Sequence, residues 1–131
     1  MNAPKHVVWV MVADEAIARF LVKPDGADLE PVHELTDPAA HARTSSTPSA
    51  GEDPQHLEAG DFAKQVATYL SESLRQKKFD ELHVAAAPRF LGLLRKAQSA
   101  QVQAVVAKEL NKDLIHESNR EITLRMFGTD D

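Results

Sequence analysis

The stretch FDELHVAAAPRFLGLLRK, residues 79–96, changes its periodicity at Pro88 and decides the fold class. From Leu82 to Ala86 apolar residues recur at every second position, the period of a β-strand, and we predict a strand over residues 79–87. Beyond Pro88, residues 90–96 have the apolar spacing and composition of a short helix. A strand that leads directly into a helix is typical of an α/β domain.

Upstream of this stretch, the sequence predicts a β-hairpin. Residues 7–12, VVWVMV, form an unbroken apolar run of the kind found in strands that are buried on both faces. Asp14 and Glu15 interrupt the run, and an extended pattern resumes from Ile17 to Val22 with Arg19 as its one charged residue. So short an interruption predicts two antiparallel strands joined by a tight turn.

A weaker strand and a long polar stretch follow the hairpin. Residues 29–35 predict a third strand, and Pro31 inside it lacks the N–H of an interior strand residue, which indicates an edge position or a bulge. Residues 36–53 predict a mobile loop, because the part from 44 to 51 has no large apolar side chain to offset the entropy lost on ordering.

The rest of the chain predicts helices and one more strand. Asp53 and Pro54 are typical of a helix start, and the helix should run to about Gln76. Because it connects two strands, some strands should pair in parallel. A helical turn and a strand over 104–110 come next, and Ser118 begins a capping-box sequence. The apolar face of this last helix is predicted to contain Ile122, Met126 and Phe127.

Composition sets limits on the function. The 131 residues fit one domain, 1–131, and their net charge of −5 means that any nucleic-acid binding would need a local basic patch. The absence of cysteine excludes thiolate metal sites and a cysteine nucleophile. The apolar run at residues 7–13 is too short to span a membrane and lacks a cleavage pattern. We therefore expect a cytoplasmic protein without membrane contact.

The junction after the predicted strand is the first candidate site. A loop that leaves a strand and opens a helix exposes free N–H groups at the positive end of the helix dipole, and Arg89 adds a planar charged fork suited to phosphate or carboxylate. With Arg95 and Lys96, it forms the candidate anion- or RNA-binding set. The structural alternative is a proline-initiated helix with a solvated or salt-bridged Arg89.

Acidic residues offer a second candidate. Asp14 at the end of the first strand, with Asp113 after the last one, would form an acidic cleft that binds a divalent cation or acts as a base, unless Asp14 serves only its turn. No catalytic residue, metal ligand or cofactor site is assigned. The six histidines show no i,i+3 or i,i+4 pairing, so a zinc site is not expected, and His83 is interpreted as a structural residue of the sheet: they are His6, His33, His41, His56, His83 and His116.

The order of several segments resembles the bacterial family named for a protein required for attachment to host cells. The matching segments are Val7–Asp14, Ala18–Phe20, Asp53-Pro54, Phe62-Ala63, Ala87–Arg95 and Lys108–Leu114. That family is distantly similar to the middle domain of eukaryotic and archaeal peptide release factors. The resemblance implies a ribonuclease-H-like mixed sheet with helices packed on it, and ribosome or tRNA as partner. The release factors' Gly-Gly-Gln is absent here, so peptidyl-tRNA hydrolysis is not implied.

Three hypotheses about function follow. The first is a non-enzymatic binding module that engages ribosome or tRNA through Arg89, Arg95 and the loop. The second is a metal-dependent nuclease or phosphoesterase that uses Asp14 and Asp113. The third is a protein-interaction domain that affects attachment indirectly, with an exposed sheet edge at the strand containing Pro31.

Overall fold

The computed structural model describes residues 6–24, 26–37 and 54–128, and of residues 54–59 only the helical backbone. Three strands come first along this part of the chain, and helices and two further strands follow. The strands are β1 (Val8–Ala13), β2 (Ile17–Val22), β3 (Glu30–Thr36), β4 (Glu81–Ala86) and β5 (Val106–Leu110), and the helices are α1 (Pro54–Arg75), α2 (Pro88–Ala97), α3 (Ala100–Val105) and α4 (Asn119–Phe127).

The five strands form one mixed sheet in the order β3-β2-β1-β4-β5. β1 pairs antiparallel with β2 and β2 with β3, whereas β4 pairs parallel with both β1 and β5. The predicted hairpin and the predicted parallel pairing are therefore both confirmed. The register sets Ala13 of β1 opposite Ala86 of β4, which brings the carboxyl ends of these two strands together.

Helices cover both faces of the sheet, and β1 supplies buried side chains to both. Trp9 and Met11 belong to the cluster shared with α1 and α2, while Val10 and Val12 belong to the cluster shared with α4. All four side chains are at most 3% exposed. The unbroken apolar run at residues 7–12 thus reflects a strand between two helical layers, because neither of its faces meets water.

Each outer strand contains one residue without a partner in the register. In β3, Pro31 lies opposite Leu21 and His33 opposite Phe20, so Val32 is extra. In β5, Val106 lies opposite Leu82 and Lys108 opposite His83, so Ala107 is extra. Both explanations for Pro31, an edge position and a bulge, are confirmed together.

Several predicted boundaries shift. The predicted loop at 36–53 begins later, because Thr36 still pairs with Ile17 in the sheet; residues 38–53 lie outside the described part. The strand predicted at 79–87 is shorter: β4 runs from Glu81 to Ala86, and the N–H of Asp80, just before it, donates to the carbonyl of Val7. Pro88 begins α2 two residues earlier than predicted, as expected of proline at a first helical position.

The prediction for the last helix was wrong at one position. Ile122 and Met126 are buried as predicted, but Phe127 is 36% exposed and Thr123 is buried instead. The Thr123 hydroxyl donates to the Asn119 carbonyl at 2.7 Å and accepts from the Leu29 N–H at 3.0 Å. A polar residue replaces an apolar one on this face because both of its hydrogen-bonding roles are satisfied there.

Candidate functional site: the carboxyl edge of the parallel strands

The predicted junction lies beside the carboxyl ends of the neighbouring strands β1 and β4. We call this side of the sheet, where the parallel strands end, its carboxyl edge. The N–H of Ala87 donates to the carbonyl of Ala13 at 3.3 Å, so the turn after β1 and the first turn of α2 are neighbours. In open α/β sheets, ligands bind at such an edge, outside the carboxyl ends of parallel strands. This location makes the junction the candidate site.

Arg89 lies in the first turn of α2 and faces an acid from the neighbouring turn. Its Nε is 3.5 Å from Oε2 of Glu15, and the two side chains are 54% and 39% exposed. Ala87, the residue before the helix, provides no side-chain cap, and the first turn of α2 contains no acid of its own. Glu15 therefore supplies, from another element, the negative charge that a helix start favours.

Asp14 has a defined role in the β1–β2 turn. Its Oδ1 accepts hydrogen bonds from the N–H groups of Ala16 and Ile17, both at 2.8 Å, which is an Asx-turn. Asp113 acts similarly in its own loop, where Oδ1 accepts from the Ile115 N–H at 3.0 Å. Each carboxylate thus closes a turn. Asp14 follows β1 and Asp113 follows β5, and β4 lies between these two strands. Two strand spacings therefore place the ends of β1 and β5 about 10 Å apart.

The structure separates the three cations of the predicted basic set. Arg95 is six residues beyond Arg89, about 9 Å further along the helix axis. Arg95 is paired with Glu109 of β5, and Lys96 is exposed in the last turn of α2. Only Arg89 lies at the carboxyl edge of the sheet, so it is the candidate residue that this edge can present to an anion.

At the opposite edge of the sheet, a second polar group had no counterpart in the sequence-based prediction. Glu81 at the start of β4 lies between two histidines: Nε2 of His6 is 2.9 Å from its Oε1, and Nε2 of His83 is 2.6 Å from its Oε2. The interpretation of His83 as a structural sheet residue agrees with its burial, since the residue is 9% exposed. One local signal was available, because Glu81 and His83 are two apart in a strand and share a face.

The hydrogen bonds at Glu81 change its acidity and that of one histidine. The bonds from His6 and His83 lower the pKa of the Glu81 carboxyl below its ordinary value. The bond to Glu81 raises the pKa of His6, with the charges of Glu81 and Asp80 adding to this effect and partial desolvation opposing it. The pair is thus most stable with His6 protonated and Glu81 ionised.

The described residues contain neither a metal-binding group of side chains nor a membrane-spanning helix. Within residues 6–24, 26–37 and 54–128, no group of three or more acidic, histidine or cysteine side chains is arranged to hold a metal ion. Glu81 is joined to His6 and His83 by direct hydrogen bonds. None of the helices in the described part has the length and apolar character needed to cross a membrane.

Comparison with known proteins adds a family. A family model described as "Protein required for attachment to host cells" matches residues 44–125. The matched segment covers more than half of the chain and includes β4, β5 and the whole of the Ala87–Arg89 junction. No curated protein matches the chain. The chain belongs to the family of proteins required for attachment to host cells.

Proposed function

We propose that this protein acts by binding rather than by catalysis, and that it binds an anionic partner at the carboxyl edge of β1 and β4. The observation that carries this proposal is the pairing of Arg89 with Glu15 across that edge, at 3.5 Å and with the two side chains 54% and 39% exposed. An exposed ion pair of this kind is worth little to stability. Replacing the Glu15 contact by a contact with a stronger anion would therefore cost little stability.

RNA phosphate, presented by the ribosome or tRNA, is the partner that we favour. Arginine offers a planar fork that matches phosphate oxygens, and the N–H groups of a helix start add to the attraction. The family's proposed kinship with the release-factor middle domain and a ribonuclease-H-like fold supports this choice, and the strand order β3-β2-β1-β4-β5 is compatible with such a fold. A cytoplasmic location belongs to the same proposal.

Ribosome co-sedimentation at low salt tests the proposal. We expect the wild-type protein in the ribosomal pellet of a bacterial lysate, and a loss on raising the salt, because the protein's net charge of −5 leaves only local attraction. Arg89→Ala should reduce the pelleted fraction several-fold. Arg125→Ala is the matched control: it also removes an exposed arginine paired with a glutamate, but from α4 on the other face of the sheet.

The outcomes separate the alternatives. A wild-type protein that stays in the supernatant at low salt would refute ribosome binding. Equal losses of the pelleted fraction for the Arg89 and Arg125 variants would show that Arg89 is not the binding site, although the protein would still bind ribosomes.

The hydrolase hypothesis has less support, because Asp14 and Asp113 both accept hydrogen bonds inside their own turns. Amide shifts at Asp14 during a magnesium or manganese titration would revive it.

A further inference from the structure

We propose that Glu81, His6 and His83 form a proton-controlled clasp that ties the segment entering β1 and the end of α4 to the start of β4. This clasp lies at the amino end of the parallel strands, away from the Arg89 edge, and it does not depend on the anion-binding proposal. His6 precedes β1, whereas Glu81 and His83 both belong to β4. Glu81 is the central member, because one carboxylate holds both imidazole rings.

The segment entering β1 is held in two ways. The backbone of Val7 is fixed by Asp80 and Glu81: the Val7 N–H donates to Oδ2 of Asp80 at 2.7 Å, and its carbonyl accepts from both N–H groups at 2.8 and 3.1 Å. His6, one residue earlier, adds the side-chain bond to Glu81. The backbone bonds hold Val7 whether or not His6 is charged, so the imidazole controls only the backbone of His6 itself.

The end of α4 is held through His83. Its ring lies against Phe127, with centroids 4.9 Å apart and planes inclined by 46°. The bond from Nε2 to Glu81 fixes the orientation of this ring, and the other ring nitrogen, Nδ1, is buried with no hydrogen-bond partner within the described structure. This arrangement favours the tautomer that is protonated at Nε2 and donates to Glu81.

The charged groups around the clasp come from several elements. Asp80 precedes β4 and adds negative charge near His6. On the other side, Lys108 of β5 lies opposite His83 in the register and donates to the Met126 carbonyl at 2.9 Å, and Nζ of Lys23 lies 5.7 Å from the centre of the Phe127 ring. Negative charge therefore surrounds His6, while positive charge surrounds the Phe127 side.

This distribution determines how the clasp responds to pH. The hydrogen bond to Glu81 raises the pKa of His6 above 6.5, its ordinary value. A histidine whose pKa is raised on folding contributes stability that is complete below its unfolded value and disappears as the pH rises through its folded value. The His6 end of the clasp is thus closed at mildly acidic pH and opens as the pH rises through the raised pKa of His6.

Solution NMR tests the clasp on the full chain. The readouts are the titration of the His6 Cε1–H signal, the backbone heteronuclear NOE of His6 between pH 5.5 and 8.5, and the Phe127 ring signals. In the wild type we expect the His6 NOE to fall as its ring deprotonates, while that of Val7 stays constant. Glu81→Gln should lower the midpoint of the His6 titration, because it removes the charge of the carboxylate, and should also shift the Phe127 ring signals.

Two further variants complete the test. His6→Gln keeps a hydrogen-bonding side chain that carries no charge at any pH. It should therefore remove the pH dependence of the backbone NOE at residue 6. This variant keeps the proposal testable if Glu81→Gln folds poorly. His116→Gln, at an exposed histidine elsewhere, should leave all readouts unchanged. A His6 midpoint that Glu81→Gln does not move would overturn the proposal. Phe127 ring signals that do not change in Glu81→Gln would also overturn the proposal, because only the surface pair of His6 and Glu81 would then remain.

Discussion

Arg95 and Glu109 connect the last turn of α2 to the edge strand β5 through one oxygen atom. Nε and Nη2 of Arg95 lie 2.8 and 2.7 Å from Oε1 of Glu109. Two of the five N–H donors of this guanidinium are thus bound to a carboxylate, which competes with a phosphate for the side chain. Two arginines of the same short helix therefore have different expected roles: Arg95 links elements of the fold, and Arg89 faces a potential partner.

A double-mutant cycle tests this division. Because the Arg95 and Glu109 side chains are 58% and 26% exposed, we expect the coupling between Arg95→Ala and Glu109→Ala to be no more than about 1 kcal/mol, measured by urea unfolding. Arg95→Ala should also leave ribosome co-sedimentation close to the wild-type level. A loss of binding as large as that of Arg89→Ala would show that the two arginines act together.

Arg19 should matter much more to stability. Its guanidinium donates to the carbonyls of Ile115 and Glu117 at 3.1 and 3.4 Å and to Oδ1 of Asn119 at 2.9 Å, which fastens the loop before α4 to the sheet. Arg19→Met keeps the aliphatic stem but leaves these acceptors without the arginine. We expect a loss of about 2 kcal/mol or more in the free energy of unfolding.

Arg125→Met provides the comparison for Arg19, measured in the same urea experiment. Arg125 pairs with Glu121 one helical turn away on the surface, so its replacement should change stability by about 0.5 kcal/mol or less. Similar losses for the two variants would mean that the Arg19 hydrogen bonds contribute no more than a surface ion pair.

Two substitutions distinguish the negative charge of Asp14 from its role as a hydrogen-bond acceptor in the turn. Asp14→Asn keeps an oxygen that accepts from Ala16 and Ile17 and should change the thermal midpoint little, whereas Asp14→Ala removes the acceptor and should cost about 1 kcal/mol. Thermal unfolding followed by circular dichroism measures both. Should the asparagine variant be as unstable as the alanine variant, the negative charge itself would be important, and the acidic-cleft hypothesis would gain support.

Local patterns were sufficient to predict most of the elements. The run before Asp14, the turn after it and Pro88 each act within a few residues, so the hairpin and the β4–α2 junction were visible in the sequence. The strand after α3 was predicted within two residues, although its apolar pattern is short. The pairing of Thr123 with Leu29 was not predictable, because it joins residues 94 apart in the sequence.

The candidate sites show the same division between local and distant contacts. Arg89 could be selected from the sequence because its position after Pro88 is a local property. The partnership of His6 with Glu81 spans 75 residues and depends on the parallel register that sets Val8 opposite Glu81. Only the spacing of Glu81 and His83 was visible beforehand, and spacing alone does not identify a third member.

The unmatched residues Val32 and Ala107 have a consequence for how this protein meets other molecules. The backbone N–H and C=O groups on the outer side of β3 and β5 do not alternate regularly past these positions. A strand from a second molecule that aligned with β3 or β5 would therefore lose its hydrogen-bond register there. On the β3 side, Pro31 also withholds one donor. Strand addition at either edge of the described five-stranded sheet, including the edge containing Pro31, is therefore disfavoured. Partners are left with the strand ends and the helical surfaces.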